Sequence, residues 1–100
     1  MSEAPDSDVF MSRIDDLLKA GGDQISPLGA GLIIAIDMGI ADSRSFSRAL
    51  GIEHALVLRE ISHLSGPDGL ITVTKRHEKS LRTSLALSAR GAQLLKGRRQ

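Results

Sequence analysis

The chain has 100 residues, a formal net charge of +1 and a hydrophobic content of 41%. This length supports one domain with a small core, and an aromatic content of 2% leaves aliphatic side chains to fill it. The absence of cysteine excludes disulfides, thiolate catalysis and cysteine metal sites. No apolar run approaches the roughly 20 residues of a membrane span, and the acidic start is unlike a secretory signal, so we expect a cytoplasmic protein.

An amphipathic helix is predicted over residues 8–22, behind a flexible acidic tail of residues 1–7. Its apolar residues recur at helical spacing and form one stripe: Phe10, Ile14, Leu17 and Leu18. Each large apolar side chain left in water would cost about 1.5–3 kcal/mol, so the stripe must be covered. The cover is either the chain's own core or a second copy of the chain, and the sequence leaves both interpretations open.

The next segment, residues 26–39, is apolar almost all round and is predicted to be the first core helix. Ser26 can cap its start, and Pro27 fits the first helical position because no backbone N–H is needed there. The β-branched residues between 32 and 36 would also suit a buried strand. The serine–proline start and the order of the following elements favour the helix.

A helix-turn-helix is predicted over residues 42–64. Asp42 can cap a helix over 43–50, and Gly51 is placed to end that helix in the left-handed conformation. Apolar residues spaced by four and three give the second helix, over 53–64, its inner face: Val57, Ile61 and Leu64. The outer face of that helix is then predicted to consist of His54, Ala55, Leu58, Arg59 and Ser62.

A basic hairpin is predicted over residues 70–87. Its two strands, 70–76 and 81–87, alternate apolar and polar residues around a polar connection of hairpin length. A serine-capped C-terminal helix over 88–97 and a basic tail over 98–100 complete the chain. A hairpin that directly follows a helix-turn-helix is typical of the winged helix.

The predicted fold is therefore a winged helix-turn-helix of the α+β class, mostly α, with about five helices and a two-stranded wing. The chain resembles the MarR-type winged-helix transcription regulators over about residues 26–96. The segments that support the resemblance are 46–52, Leu64 with 69–71, and 85–91 leading into Leu94 and Leu95. The resemblance implies a DNA-binding regulator that forms a homodimer through helices outside the wing.

Charge is distributed unevenly along the chain. Residues 1–42 contain eight Asp or Glu against two Lys or Arg, whereas residues 43–100 contain eleven Lys or Arg against four Asp or Glu. A basic half that includes the helix-turn-helix and the hairpin indicates a polyanionic partner, and mutual attraction of the two halves is the alternative. The predicted contacts to double-stranded DNA are Arg44, Arg48, His54, Arg59, Lys75, Arg76, Lys79 and Arg82.

The favoured function is DNA binding, with helix 53–64 in the major groove and the basic wing 75–82 on the backbone or minor groove. The alternative is a winged-helix interaction module that has lost specific DNA binding. Glu53, Ala55 and Leu58 on the recognition helix favour this alternative. The histidines lack the spacing of a metal site and no nucleophile motif is present, so neither catalysis nor a cofactor is expected.

Overall fold

The computed structural model describes residues 7–21 and 25–98, which form five helices and one two-stranded antiparallel sheet. The elements are α1 (Ser7–Gly21), α2 (Pro27–Asp37), α3 (Ser43–Leu50), α4 (His54–Leu64), β1 (Ile71–Arg76), β2 (Thr83–Leu87) and α5 (Ala89–Arg98). This order confirms the predicted winged-helix layout, with α3 and α4 as the helix-turn-helix and the β1–β2 hairpin as the wing. Of the predicted tails, residues 1–6 and 99–100 lie outside the described residues.

The apolar stripe of α1 faces the chain's own core. Phe10, Ile14 and Leu17 are buried, and α1 packs against α2 and α5. Arg13 at the middle of α1 places its Nη2 atom 2.6 Å from Oδ2 of Asp37, which joins α1 to the end of α2. The core therefore covers these three side chains, and a dimer is not needed to keep the stripe out of water.

The helical interpretation of the segment that follows is confirmed, because α2 is a helix whose residues 29–35 are all buried. Its start is capped as predicted: the Gly29 N–H donates to Ser26 Oγ at 3.0 Å. Contacts with α1, α4 and β2 surround α2, so no side of it has to be polar. At 11 residues it is too short to cross a bilayer, and none of the helices within 7–21 and 25–98 is long and apolar enough to do so.

The helix-turn-helix forms at the predicted positions. Asp42 caps α3 by accepting the Ser45 N–H at 2.9 Å, and Gly51 ends α3 with φ 67°. Val57, Ile61 and Leu64 form the buried face of α4, as the spacing predicted. The predicted outward position of Leu58 is wrong, since this side chain is partly buried against the core. Leu58 lies on the flank of the buried stripe, where packing against neighbouring elements widens the covered face.

The wing pairs Ile71 with Leu87 and Val73 with Leu85, and its register shifts between Val73 and Lys75. The second strand begins two residues later than predicted, at Thr83, because the connection is longer. Backbone hydrogen bonds close that connection: the Leu81 N–H donates to His77 O at 2.7 Å, and the His77 N–H donates to Arg82 O at 2.9 Å. Leu81, which the alternation placed on a half-buried strand, is instead 56% exposed with φ 60°.

Candidate nucleic-acid interface

Three of the predicted DNA-contact residues meet at one cleft between α3 and the wing. Arg44 and Arg48 lie one turn apart on α3, and Arg82 directly precedes β2. Together with two residues of the hairpin connection, His77 and Ser80, they line a cleft of about 500 Å³, which is called the basic cleft below. Arg44 Nη2 donates to Ser80 O at 2.8 Å, so α3 holds the tip of the wing directly.

Asp42 places a carboxylate beside one arginine of the basic cleft. Its Oδ1 atom is 3.6 Å from Nε of Arg82, and both of its oxygens accept hydrogen bonds from Ser45. Partial burial raises the pKa of Asp42, but these hydrogen bonds and the Arg82 charge outweigh it, so the pKa lies below its usual range. Asp42 is therefore ionised at neutral pH and offsets one of the three guanidinium charges. Neither Arg44 nor Arg48 forms an ion pair with any residue of the described ranges.

His54, a predicted DNA contact, is held by a hydrogen-bonded junction. Its Nε2 atom lies 2.7 Å from Oγ of Ser43, which is fully buried and accepts the Thr83 N–H at 2.9 Å. The junction links the first turns of α3 and α4 to the first residue of β2. The Ser43 hydroxyl can donate a hydrogen bond to Nε2 or accept one from it, according to the tautomer of His54. Burial and then the Arg44 charge lower the pKa of His54, and the Asp42 carboxylate opposes them only in part.

We expect the free energy of unfolding to decrease as the pH falls from about 7 to about 5, partly because of His54. Its pKa is lower in the folded chain, so the unfolded chain binds the proton first. The contribution of neutral His54 to the free energy of unfolding is complete above the usual histidine pKa. It is lost as the pH falls through the lowered pKa of the folded chain. Urea unfolding at several pH values measures the change. His54→Gln, which keeps a hydrogen-bonding group beside Ser43, should show a smaller loss, and an equal loss would contradict the prediction.

The other predicted contacts lie outside the basic cleft. Arg59 is exposed on α4, and Lys75, Arg76 and Lys79 are exposed on β1 and at the tip of the wing. Sequence reasoning missed Ser80, whose carbonyl oxygen holds Arg44, because no side-chain pattern marks a backbone acceptor. In the part of the chain that the structure describes, no cluster of three or more His, Asp or Glu side chains could hold a metal ion.

A second, apolar cleft of about 450 Å³ lies where α1, α2 and α3 meet. Its lining contains no charged side chain: Phe10, Met11, Ile14, Pro27, Leu28, Gly31, Phe46, Ala49, Leu50 and Ile52. General acid–base or nucleophilic chemistry requires a titratable or nucleophilic group, and this cleft provides none.

The fold and the basic cleft define a class of protein, a winged helix with a cationic cleft between α3 and the wing. No protein-family model matches this chain, and no curated protein matches it. Function is therefore inferred from the positions of the charged side chains on the fold.

Proposed function

We propose that this protein is a DNA-binding transcriptional regulator of the winged-helix type, similar to MarR-type regulators. The observation that supports the proposal best is the meeting of Arg44, Arg48 and Arg82 at one cleft beside the helix-turn-helix. The three guanidinium groups repel one another, and Asp42 pairs only with Arg82. A polyanion that approaches the cluster relieves this repulsion, so its binding is electrostatically favourable. Duplex DNA has the required density of negative charge along its backbone.

In this proposal α4 enters the major groove. Its exposed residues are Ala55, Leu56, Arg59, Ser62 and His63. Arg59 is the side chain best suited to read a base, because a guanidinium can donate two hydrogen bonds to guanine. Leu56, 46% exposed, is a large apolar side chain on the surface of α4, and in this proposal it contacts a thymine methyl group. Exposed Glu53 would repel nearby phosphates and lower the affinity for all sequences. Because Arg59 is the main base-reading side chain on α4, we propose modest sequence specificity.

The proposal includes a homodimer that works in the cytoplasm and has no catalytic activity. Two exposed apolar residues of α1, Val9 at 52% and Met11 at 54%, favour contact between copies, whereas the buried stripe of α1 does not. Light scattering at micromolar concentration should then give twice the mass of one chain. A monomeric mass would remove this part of the proposal without affecting DNA binding.

The salt dependence of duplex binding tests the proposed function. Affinity for genomic DNA fragments, measured by fluorescence anisotropy, should fall log-linearly with salt as bound counterions are released. The double variant Lys75→Ala, Lys79→Ala should weaken binding to all sequences and flatten the slope by about 0.9 per lost phosphate contact. These lysines are chosen because they lie outside the basic cleft. Lys19→Ala, which removes an exposed lysine from α1, is the control and should leave the slope unchanged.

Arg59→Ala should act differently, since it should relax sequence preference and leave the affinity for non-specific DNA nearly unchanged.

A second function, a protein-interaction module, is favoured by the exposed side chains of Leu56 and Leu81, at 46% and 56%. The absence of salt-dependent DNA binding at low ionic strength would contradict the regulator. A protein partner that is lost on Leu56→Asp but retained by the double lysine variant would support the interaction module instead.

A further inference from the structure

The basic cleft has a charge balance and a geometry that suit one small anion. Three guanidinium groups and one nearby carboxylate surround it, so it has an excess of about two positive charges at neutral pH. Its volume of about 500 Å³ can hold a phosphate group together with ordered water. The arginine fork matches the oxygen spacing of a phosphate and donates paired hydrogen bonds to it.

Two of the three arginines already have defined partners. Arg44 donates to Ser80 O at 2.8 Å, and Arg82 lies 3.6 Å from Asp42. These contacts hold the two guanidinium groups in position before any ligand arrives, which reduces the entropy lost on binding. The side chain of Arg48 is exposed and makes no hydrogen bond or ion pair with another described residue, so its guanidinium donors are available. His77 lines the hairpin side of the cleft.

We infer that the basic cleft is a single-phosphate site and that its ligand is one backbone phosphate of duplex DNA. The DNA source rests on the proposed function, whereas the phosphate chemistry rests on the cleft alone. A phosphate there contacts α3 through Arg48 and the wing through Arg82. It joins the two elements that Arg44 and Ser80 already connect. The site therefore sets the position of the wing on the backbone and reads no base.

Titration of the full chain with inorganic phosphate tests the cleft without DNA. The ionic strength is kept constant with chloride, and backbone amide and arginine Nε signals are followed by NMR. Saturable shifts are expected at Arg44, Arg48 and residues 80–82. Arg48→Ala should weaken phosphate binding about tenfold, the loss expected for a charged hydrogen bond. Arg90→Ala, which removes an exposed arginine of α5 outside the cleft, is the matched control and should leave phosphate affinity unchanged.

Binding of a DNA duplex to the same variants identifies the source of the phosphate. Weaker binding of all duplexes by Arg48→Ala, together with competition between inorganic phosphate and DNA at constant ionic strength, supports the inference. Saturable phosphate binding combined with unchanged DNA affinity in Arg48→Ala overturns the DNA source and assigns the cleft to a free phosphate ester. The absence of saturable phosphate binding, or shifts that Arg48→Ala leaves intact, overturns the site itself. Phosphate binding in a chain that binds no DNA contradicts the proposed function and retains the cleft.

Discussion

Replacing Gly91 by alanine is expected to lower the free energy of unfolding by about 2 kcal/mol or more, through overpacking between two backbone segments. A Cβ atom at this position would lie 2.1 Å from the carbonyl oxygen of Leu70 and 3.1 Å from its carbonyl carbon. Neither group can rotate away, because both belong to the main chain or are attached directly to it. The Leu70 oxygen also accepts the Ser88 N–H at 3.1 Å, so displacement of Leu70 would strain that contact as well.

The matched control is Gly31→Ala, which makes the same substitution within another helix. A Cβ atom at Gly31 would meet Ile14, Phe46 and Phe10 at 3.7–3.8 Å, which is ordinary van der Waals contact. Here alanine should raise the free energy of unfolding by about 0.5–1 kcal/mol, since glycine loses more backbone entropy on folding. Urea unfolding measures both variants. If both substitutions changed the free energy of unfolding in the same direction, the close approach of α5 to the start of the wing would be contradicted.

Ser43→Ala is expected to lower the free energy of unfolding by about 1–3 kcal/mol, the cost of leaving a buried donor without a partner. The hydroxyl of Ser43 accepts the N–H of Thr83, a residue only 3% exposed, and pairs with Nε2 of His54. Alanine removes both contacts. The partly exposed imidazole can turn to water, but the buried N–H cannot. Hydrogen exchange at the Thr83 amide should therefore accelerate beyond what the change in global stability predicts.

Ser62→Ala provides the comparison for this substitution. Ser62 is exposed on α4, and its hydroxyl donates only to the Leu58 carbonyl oxygen one turn earlier, at 3.2 Å. Its replacement should change stability by no more than about 0.5 kcal/mol. Urea unfolding of the two alanine variants compares their losses of stability, and hydrogen exchange reports on the Thr83 amide. Together they distinguish a hydroxyl that holds a buried junction from one that is exposed on the surface. Equal losses of stability in the two variants would show that Ser43 is not a structural junction.

Helix starts and stops were predictable from the sequence because they depend on residues close together in the chain. A helix leaves its first N–H groups without intrahelical partners, and a side chain three residues earlier can accept from one of them. Ser26 and Asp42 both do so, at 3.0 and 2.9 Å. The left-handed turn at Gly51 and the buried face of α4 follow in the same way from local chemistry and helical periodicity. The order of these elements was enough to indicate a winged helix.

Only the tertiary structure decided what each surface faces. The stripe of α1 could cover its own core or a second copy, and contacts with α2 and α5 select the core. Leu58 is partly buried because packing widens the inner face of α4 beyond its periodic stripe. Arg44 meets the carbonyl oxygen of Ser80 across 36 positions in sequence, and Ser43 meets the Thr83 N–H across 40. Such contacts arise when distant segments are brought together by burial of the shared core, so periodicity, capping and charge counts in one sequence do not reveal them.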